Sequence, residues 1–216
     1  MSTRVEVFLY LIPIVIGSLT LHELAHGWTA YKLGDPTAKL LGRLSLNPIV
    51  HLDPLGTLMF LLSYWTGFLF GWAKPVPVDL SNFRGHPQRK MAIVAAAGPA
   101  TNFLIAILCA LLYEQHGTFG DIGDRVLGYA FVVNIVLGVF NLIPIPPLDG
   151  ARIVGALMDR RTYAQWAQLD QYGMIVLLVV LVVFNNQFAI FFTGATDRVA
   201  TFIQDLVGGV PVITYS

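Results

Sequence analysis

The sequence predicts an α-helical polytopic membrane protein: one domain over residues 1–216, with four crossings, a re-entrant hairpin and a small membrane-associated β-element. Of the 216 residues, 56% are hydrophobic and 12% are charged, whereas soluble domains carry about 25% charged residues. The mean hydropathy is +0.68. Several apolar runs also reach the ~20 residues that a helix needs to cross a bilayer. A formal net charge of zero gives no sign of nucleic-acid binding.

The crossings are predicted at residues 5–31, 91–113, 126–143 and 172–192. Helix-stop residues at 33–36 end the first crossing, and the prolines at 144, 146 and 147 end the third. About residues 5–152 form the predicted core. Residues 153–216 supply the last crossing and an amphipathic surface helix, which is expected to start at Thr193 and to end near Gly208.

Two segments outside the crossings favour extended structure. Partial alternation of apolar and polar residues over Lys39–Leu46 predicts one or two short strands, which would form the β-element. Prolines at 75 and 77 exclude a helix over residues 73–79 and predict an extended edge segment there.

Loop charges predict the topology, because cytoplasmic loops carry an excess of Lys and Arg. The apolar run 55–72 has basic residues on both sides: Lys32, Lys39 and Arg43 before it, and Lys74, Arg84, Arg89 and Lys90 after it. Both flanks are therefore expected in the cytoplasm, which makes this run a re-entrant hairpin. The alternative is a full crossing, which would place one basic loop outside. The mainly acidic loop 114–125 is expected outside, as are both termini.

The residues with the clearest chemistry lie inside the first crossing. His22 and His26 are one helical turn apart and share a face, and Glu23 directly follows the first of them. This HExxH spacing is typical of two zinc ligands and a carboxylate that deprotonates zinc-bound water. A pore-facing polar role is the alternative, but unpartnered polar groups are costly within a membrane helix. At helical rise the pair is expected towards the cytoplasmic side of the membrane.

A catalytic zinc site commonly takes a third protein ligand and leaves one position for water. Asp149 is the preferred candidate because it follows prolines that break a membrane helix, and irregular backbone at that depth normally lines a cavity. The alternatives are His51, Asp53, His86, Glu114 and His116. Glu114 and His116 belong to the loop that is expected outside, away from the histidine pair, and His86 lies in a polar loop. His51 is therefore the main rival of Asp149 as the third ligand.

Three motifs occur together: His22-Glu23-Leu24-Ala25-His26, Gly98-Pro99-Ala100-Thr101-Asn102, and NxxPxPxxDG from Asn141 to Gly150. Their order over roughly residues 19–152 resembles the site-2 protease family of intramembrane zinc metalloproteases, peptidase family M50. The chain is similar to the compact prokaryotic form of this family, which has no PDZ or CBS domain. The resemblance implies a core of three membrane helices and one Zn2+ per chain. It further implies that His22, His26 and Asp149 hold this ion and that Glu23 is the catalytic glutamate.

The function implied is cleavage of transmembrane or membrane-embedded protein substrates by a metal-activated water. Asn141 and Asn102 are the polar groups expected to donate hydrogen bonds to the substrate or its oxyanion, and ordinary interhelical hydrogen bonding is the alternative for both. The segments 43–46 and 74–78 are expected to hold an unwound substrate by strand addition. The compact form implies a prokaryotic plasma membrane, with the active site towards the cytoplasm. A metal-ion transporter or channel that uses the same His and Asp residues is the alternative function.

Overall fold

The structure is a computed structural model that describes residues 3–66, 71–114 and 119–208. Within these ranges the chain forms α-helices and short 3-10 helices, and it forms no β-strand. The α-helices are α1 (Thr3–Lys32), α2 (Thr37–Leu40), α3 (Pro54–Thr66), α4 (Pro87–Tyr113), α5 (Gly120–Asn141), α6 (Asp149–Gly155), α7 (Arg160–Ala167), α8 (Gly173–Val183) and α9 (Asn185–Val207). The 3-10 helices are Pro48–Val50, Leu80–Asn82 and Gln168–Tyr172.

Four helical segments in the described ranges are long and apolar enough to cross a membrane: Val5–Lys32, Pro87–Tyr113, Gly120–Asn141 and Arg161–Val183. Large apolar side chains, such as Leu104 and Leu108 of α4, are exposed on their outer faces. Such faces are unfavourable in water but carry no penalty in hydrocarbon. These findings confirm that the chain is an α-helical, polytopic membrane protein.

Helices α1, α4 and α5 form the core that positions the site. Arg125 near the start of α5 pairs with Glu6 near the start of α1 at 3.0 Å, so these two helices run in the same direction. Lys90 near the start of α4 donates to the carbonyl oxygen of Leu33, just after α1, at 3.0 Å. Helix α4 therefore runs opposite to the other two. Buried Ala106 of α4 and Phe131 of α5 belong to one apolar cluster between these helices.

The C-terminal helices differ from the prediction in their bounds. The crossing expected at 172–192 is divided at Phe184, where α8 ends and α9 begins. Helix α9 then continues without a break to Val207, so the chain has no boundary between a crossing and a surface helix at Thr193. The polar residues 185–187 form the exposed first turn of α9.

Helix α9 packs antiparallel to α5 along most of its length. Phe192 contacts Phe140, near the end of α5, with ring centroids 6.0 Å apart. Ile203, close to the end of α9, is buried in the cluster that contains Cys109 near the end of α4. Gly208 follows α9 and lies against the carboxylate of Glu114. The apolar face of this amphipathic helix is therefore buried against the bundle.

The short strands predicted over Lys39–Leu46 are not formed. Helix α2 already covers Lys39, and Gly42 has φ +68, a conformation that favours glycine. Arg43 N–H donates to the carbonyl oxygen of Ala38 at 2.8 Å, and Gly42 N–H donates to that of Lys39 at 3.1 Å. This pair of bonds is the Schellman arrangement that ends helices. The alternation of apolar residues was too short to separate a strand from a capped helical turn.

The two ends of the segment that contains α3 lie side by side. Leu52 and Ala73 form an isolated antiparallel β-bridge, and Lys74 N–H donates to the carbonyl oxygen of His51 at 2.8 Å. A side chain at Gly56 would collide with the main chain of Trp72. The first and last residues of this segment therefore lie next to each other, and residues 73–79 form no helix, as the prolines predict.

The turn between α5 and α6 leads into Asp149, the first residue of α6. Three prolines prevent α5 from continuing after Asn141, and Leu148 N–H donates to the carbonyl oxygen of Ile145 at 2.9 Å. A Cβ at Gly150 would lie 2.5 Å from the carbonyl oxygen of Ile143. Only glycine permits this close passage, which turns Asp149 back towards the bundle.

Candidate metal centre and active site

Three buried side chains converge where α1, α4 and α6 meet. Nε2 of His22 and Nε2 of His26 are 3.0 Å apart. Each of them is 3.2 Å from Oδ2 of Asp149. The three residues are between 3% and 7% exposed. Ligand atoms that bind a tetrahedral zinc at about 2.0–2.1 Å lie roughly 3.3 Å from one another, so the observed spacing fits zinc.

The hydrogen bonds behind the two imidazoles fix which nitrogen faces the centre. His26 Nδ1 lies 2.7 Å from the carbonyl oxygen of Val94. His22 Nδ1 lies 2.6 Å from Oδ1 of Asn102. Because these oxygens only accept, both Nδ1 atoms carry the hydrogen and both Nε2 atoms present lone pairs. Asp149 Oδ2, in turn, has no hydrogen-bond donor within the described part of the chain. Three electron-pair donors thus face one another, an arrangement that a cation stabilises.

Gly98 leaves the space beside this centre open. A Cβ built on Gly98 would lie 2.5 Å from His22 Nε2 and closer still to His26 Nε2. The volume that a methyl group would fill is therefore the volume beside the Nε2 atoms of the two histidines. No local pattern in the sequence indicates this close approach of Gly98 to the two Nε2 atoms.

Glu23 is held by the extended segment that crosses the site. Its Oε2 accepts a hydrogen bond from the main-chain N–H of Val76 at 2.9 Å, and its side chain is largely buried. The next residue back, Pro75, lines the same cavity as Glu23. This main-chain donor could not be found from the sequence, because it has no side-chain signal.

A cavity of about 410 Å³ lies over the centre. Its wall includes the two histidines, Glu23 and Asp149, together with residues of the extended segment, α5 and α8. Arg152 and Asp170 form a partly exposed ion pair on this wall, with Nη2 of Arg152 3.9 Å from Oδ2 of Asp170. A peptide chain in the cavity would therefore contact both the carboxylate of Glu23 and the convergent Nε2 atoms.

The two candidate oxyanion donors occupy different positions. Asn141 lines the cavity, and its Nδ2 donates to the carbonyl oxygen of Leu137 in its own helix at 2.9 Å. Asn102 is fully buried, and its Nδ2 donates to Asn134 at 2.9 Å. That direction does not fit an oxyanion donor, because the only donor group of Asn102 points away from the centre. Sequence reasoning could not tell which helix face Asn102 occupies.

The rival third ligands lie elsewhere. Buried His51 bonds through Nε2 to the carbonyl oxygen of Ser45 at 2.8 Å, and Asp53 accepts from the N–H of Gly56 at 2.8 Å. His86 lies before the first turn of α4. Glu114 lies at the other end of α4, beside Gly208, and His116 lies outside the described residues. Asp149 is the acidic residue that the structure places against the histidine pair.

Comparison with known proteins relates the chain to one family. The profile of peptidase family M50 matches residues 10–119 and 117–184. The candidate zinc metalloprotease YwhC of Bacillus subtilis (strain 168) is 42% identical over 181 residues, which cover 80% of this chain and 80% of that protein. The candidate zinc metalloprotease Rip2 of Mycolicibacterium smegmatis is 31% identical over 186 residues, which cover 82% of this chain and 68% of that protein. No solved structure matches the chain significantly.

Proposed function

The chain belongs to peptidase family M50 and is a zinc metalloendopeptidase, and we propose that it cleaves transmembrane or membrane-embedded protein substrates inside the bilayer. The observation that carries this proposal is the position of the metal centre. Its three ligand atoms lie among apolar helices that are long enough to cross a membrane, and they line a cavity large enough for an extended peptide. We assign His22, His26 and Asp149 as the zinc ligands and Glu23 as the catalytic residue.

When bound, zinc supplies a polarised water and an electrophile for the scissile carbonyl. Glu23 accepts the proton of the attacking water and returns it to the leaving amine. The N–H of Val76 holds one oxygen of this carboxylate and leaves the other for the proton transfer. We propose that Asn141, which lines the cavity, donates the second hydrogen of its amide to the substrate or its oxyanion.

We propose that α3 and the chain after it form a re-entrant hairpin. Helix α3 has 13 residues, about 20 Å at helical rise, which is short of the ~30 Å hydrocarbon core. The bridge between Leu52 and Ala73 keeps both ends of the segment at one depth. Cysteines at Leu41 and Arg84 should therefore react from the same side of the membrane. Labelling from opposite sides would make the segment a full crossing.

The basic loops favour a cytoplasmic position for the end of α1, the start of α4 and the start of α7. Helix α9 ends beside Glu114, at the end of α4. The C-terminal end of α9 is therefore expected on the outside, as is the start of α1. This orientation places the metal centre towards the cytoplasm of a prokaryotic plasma membrane.

The structure changes how the extended segment is expected to hold a substrate. The N–H groups of Lys74 and Val76 are already bonded to His51 and Glu23, and Pro75 and Pro77 have none. Regular strand addition needs donors and acceptors in alternation. The segment therefore offers carbonyl oxygens, chiefly those of the prolines, and we expect a substrate to donate to them. Residues 43–46, the other segment expected to hold a substrate by strand addition, have irregular structure and offer no strand for such pairing.

Glu23→Gln tests the proposed reaction. The variant keeps the size and the metal ligands but removes the base, so it should retain zinc and lose cleavage of a transmembrane peptide in proteoliposomes. Zinc flux measured in the same vesicles separates the alternative: a transporter would move metal in both the wild type and the variant. Cleavage by Glu23→Gln at the wild-type rate would refute the assigned role.

A further inference from the structure

Two buried asparagines connect His22 to the main chain of α5. His22 Nδ1 lies 2.6 Å from Asn102 Oδ1, and Asn102 Nδ2 donates to Asn134 Oδ1 at 2.9 Å. Asn134 Nδ2 donates to the carbonyl oxygen of Ala130 at 2.8 Å and to Ser18 Oγ at 2.9 Å. Both asparagines are completely buried. We call the two asparagine side chains and the Ala130 carbonyl the amide chain.

From this geometry we propose that Asn134 is a positioning residue that fixes the tautomer of His22 through Asn102. The amide chain forces the hydrogen of His22 onto Nδ1, and Nε2 is left with its lone pair towards the metal. The inference rests on the proposed function, because the tautomer of His22 matters only where this residue binds zinc. It adds a role for Asn134, which touches neither the cavity nor the metal ligands.

The carbonyl group of Ala130 sets the direction of the hydrogen bonds along the amide chain. A main-chain carbonyl can only accept, so Asn134 must turn its nitrogen towards Ala130 and its oxygen towards Asn102. Asn102 must then donate its nitrogen to that oxygen, and its own oxygen faces His22. An oxygen cannot donate, so His22 Nδ1 does. The Ser18 hydroxyl can accept or donate, and it therefore does not decide the direction.

A comparison with His26 shows why the tautomer of His22 depends on a further residue. His26 Nδ1 bonds directly to the carbonyl oxygen of Val94 in α4, and this contact alone fixes its tautomer. His22 faces the side chain of Asn102 instead, and an amide can present either its oxygen or its nitrogen. Without Asn134, a reversed amide would place a donor against His22 Nδ1. The ring would then favour the opposite tautomer, whose Nε2 hydrogen blocks the metal.

The test measures zinc affinity in a double-mutant cycle, by competition with a chelator on purified protein. Asn134→Leu removes the acceptor for Asn102 and should weaken zinc binding about tenfold or more, as loss of outer-sphere partners commonly does. In the Asn102→Asp background, both side-chain oxygens accept, so no orientation has to be fixed. Asn134→Leu should there lower zinc affinity by less than about threefold, because the carboxylate holds the His22 tautomer by itself and loses only an unfavourable oxygen–oxygen contact with Asn134.

Two controls separate orientation from packing. Asn134→Asp keeps the hydrogen-bond pattern when its carboxyl group is protonated, as complete burial favours: its carbonyl oxygen then accepts from Asn102 and its O–H donates to Ala130, so its zinc affinity should stay within about threefold of the wild type. Thr101→Val removes a hydroxyl that donates to the carbonyl oxygen of Ala97 in its own helix, and this variant should also be neutral. If Asn134→Leu does not fold, Asn134→Ala, which removes the same acceptor with a smaller side chain, takes its place in the cycle.

Three outcomes would overturn the inference: an unchanged zinc affinity in Asn134→Leu, an equal loss from Asn134→Leu with and without Asn102→Asp, or a large loss in Asn134→Asp. The second outcome would assign Asn134 a packing role only. A wild-type protein that binds no zinc would instead overturn the proposed function. The spectrum of bound Co2+ gives a second readout, since the tautomer of a ligand alters the metal's environment.

Discussion

Replacing Gly98 by alanine should expel zinc from a helix bundle that otherwise remains intact. The added Cβ would lie 2.5 Å from His22 Nε2 and closer to His26 Nε2, whereas carbon and nitrogen pack at about 3.5 Å or more. The overlap is thus about 1 Å, and zinc needs both nitrogens at about 2.0–2.1 Å. We expect zinc affinity to fall at least 100-fold, or about 2.7 kcal/mol.

The fold should survive this change because two terms offset each other. Alanine is about 1 kcal/mol more favourable than glycine inside a helix, and one overpacked methyl costs roughly 1–3 kcal/mol. Gly17→Ala is the matched control: it lies in α1, and a Cβ there has no neighbour within 4 Å. It should keep full zinc affinity.

The assay is thermal unfolding in detergent, with and without a chelator, together with zinc analysis. A bound metal raises the unfolding temperature by mass action. The chelator should therefore lower the melting temperature of the wild type and of Gly17→Ala and leave that of Gly98→Ala unchanged. A Gly98→Ala protein that retains one tightly bound zinc would refute the assignment of this space to the metal.

Three further experiments test the third zinc ligand, the hydrogen bond from Val76 to Glu23 and the membrane topology. Asp149→Asn should preserve folding but weaken zinc binding at least tenfold, whereas His51→Ala should leave zinc in place; the reverse result would make His51 the ligand. Val76→Pro removes the N–H that holds Glu23, a charged hydrogen bond worth about 1.5–3 kcal/mol, so peptide cleavage should slow about 10–100-fold while zinc stays bound; unchanged cleavage would show that this bond is dispensable. In a cysteine-free background, a cysteine at Asp121 should be labelled from outside and one at Arg161 only from the cytoplasm, and inverse labelling would reverse the topology.

Much of the site could be predicted because its residues have strong local signals. The spacing of His22 and His26 fixes a shared helix face, and the prolines before Asp149 fix an irregular turn at membrane depth. Contacts across helices have no such signal. Gly98 approaches the ligand nitrogens from a helix that is distant in the sequence, and Val76 contributes only a main-chain group.

The differences between the expectations and the structure have physical causes as well. Asn102 was expected to reach the substrate, but a polar residue in a nearly uniform apolar helix does not reveal which face is buried. The segment after α2 alternates like a strand, yet Gly42 at positive φ ends a helical turn instead. At the C-terminus, hydropathy alone could not place the break at Phe184, because α9 gains its stability by packing on α4 and α5.

The zinc content of purified protein tests the central claim most directly. The wild type should hold about one zinc per chain, and His22→Ala and His26→Ala should each lose it while they still fold. Elemental analysis after gel filtration, with the same preparation checked for helix content, gives both quantities. Full zinc occupancy in either histidine variant would contradict the account.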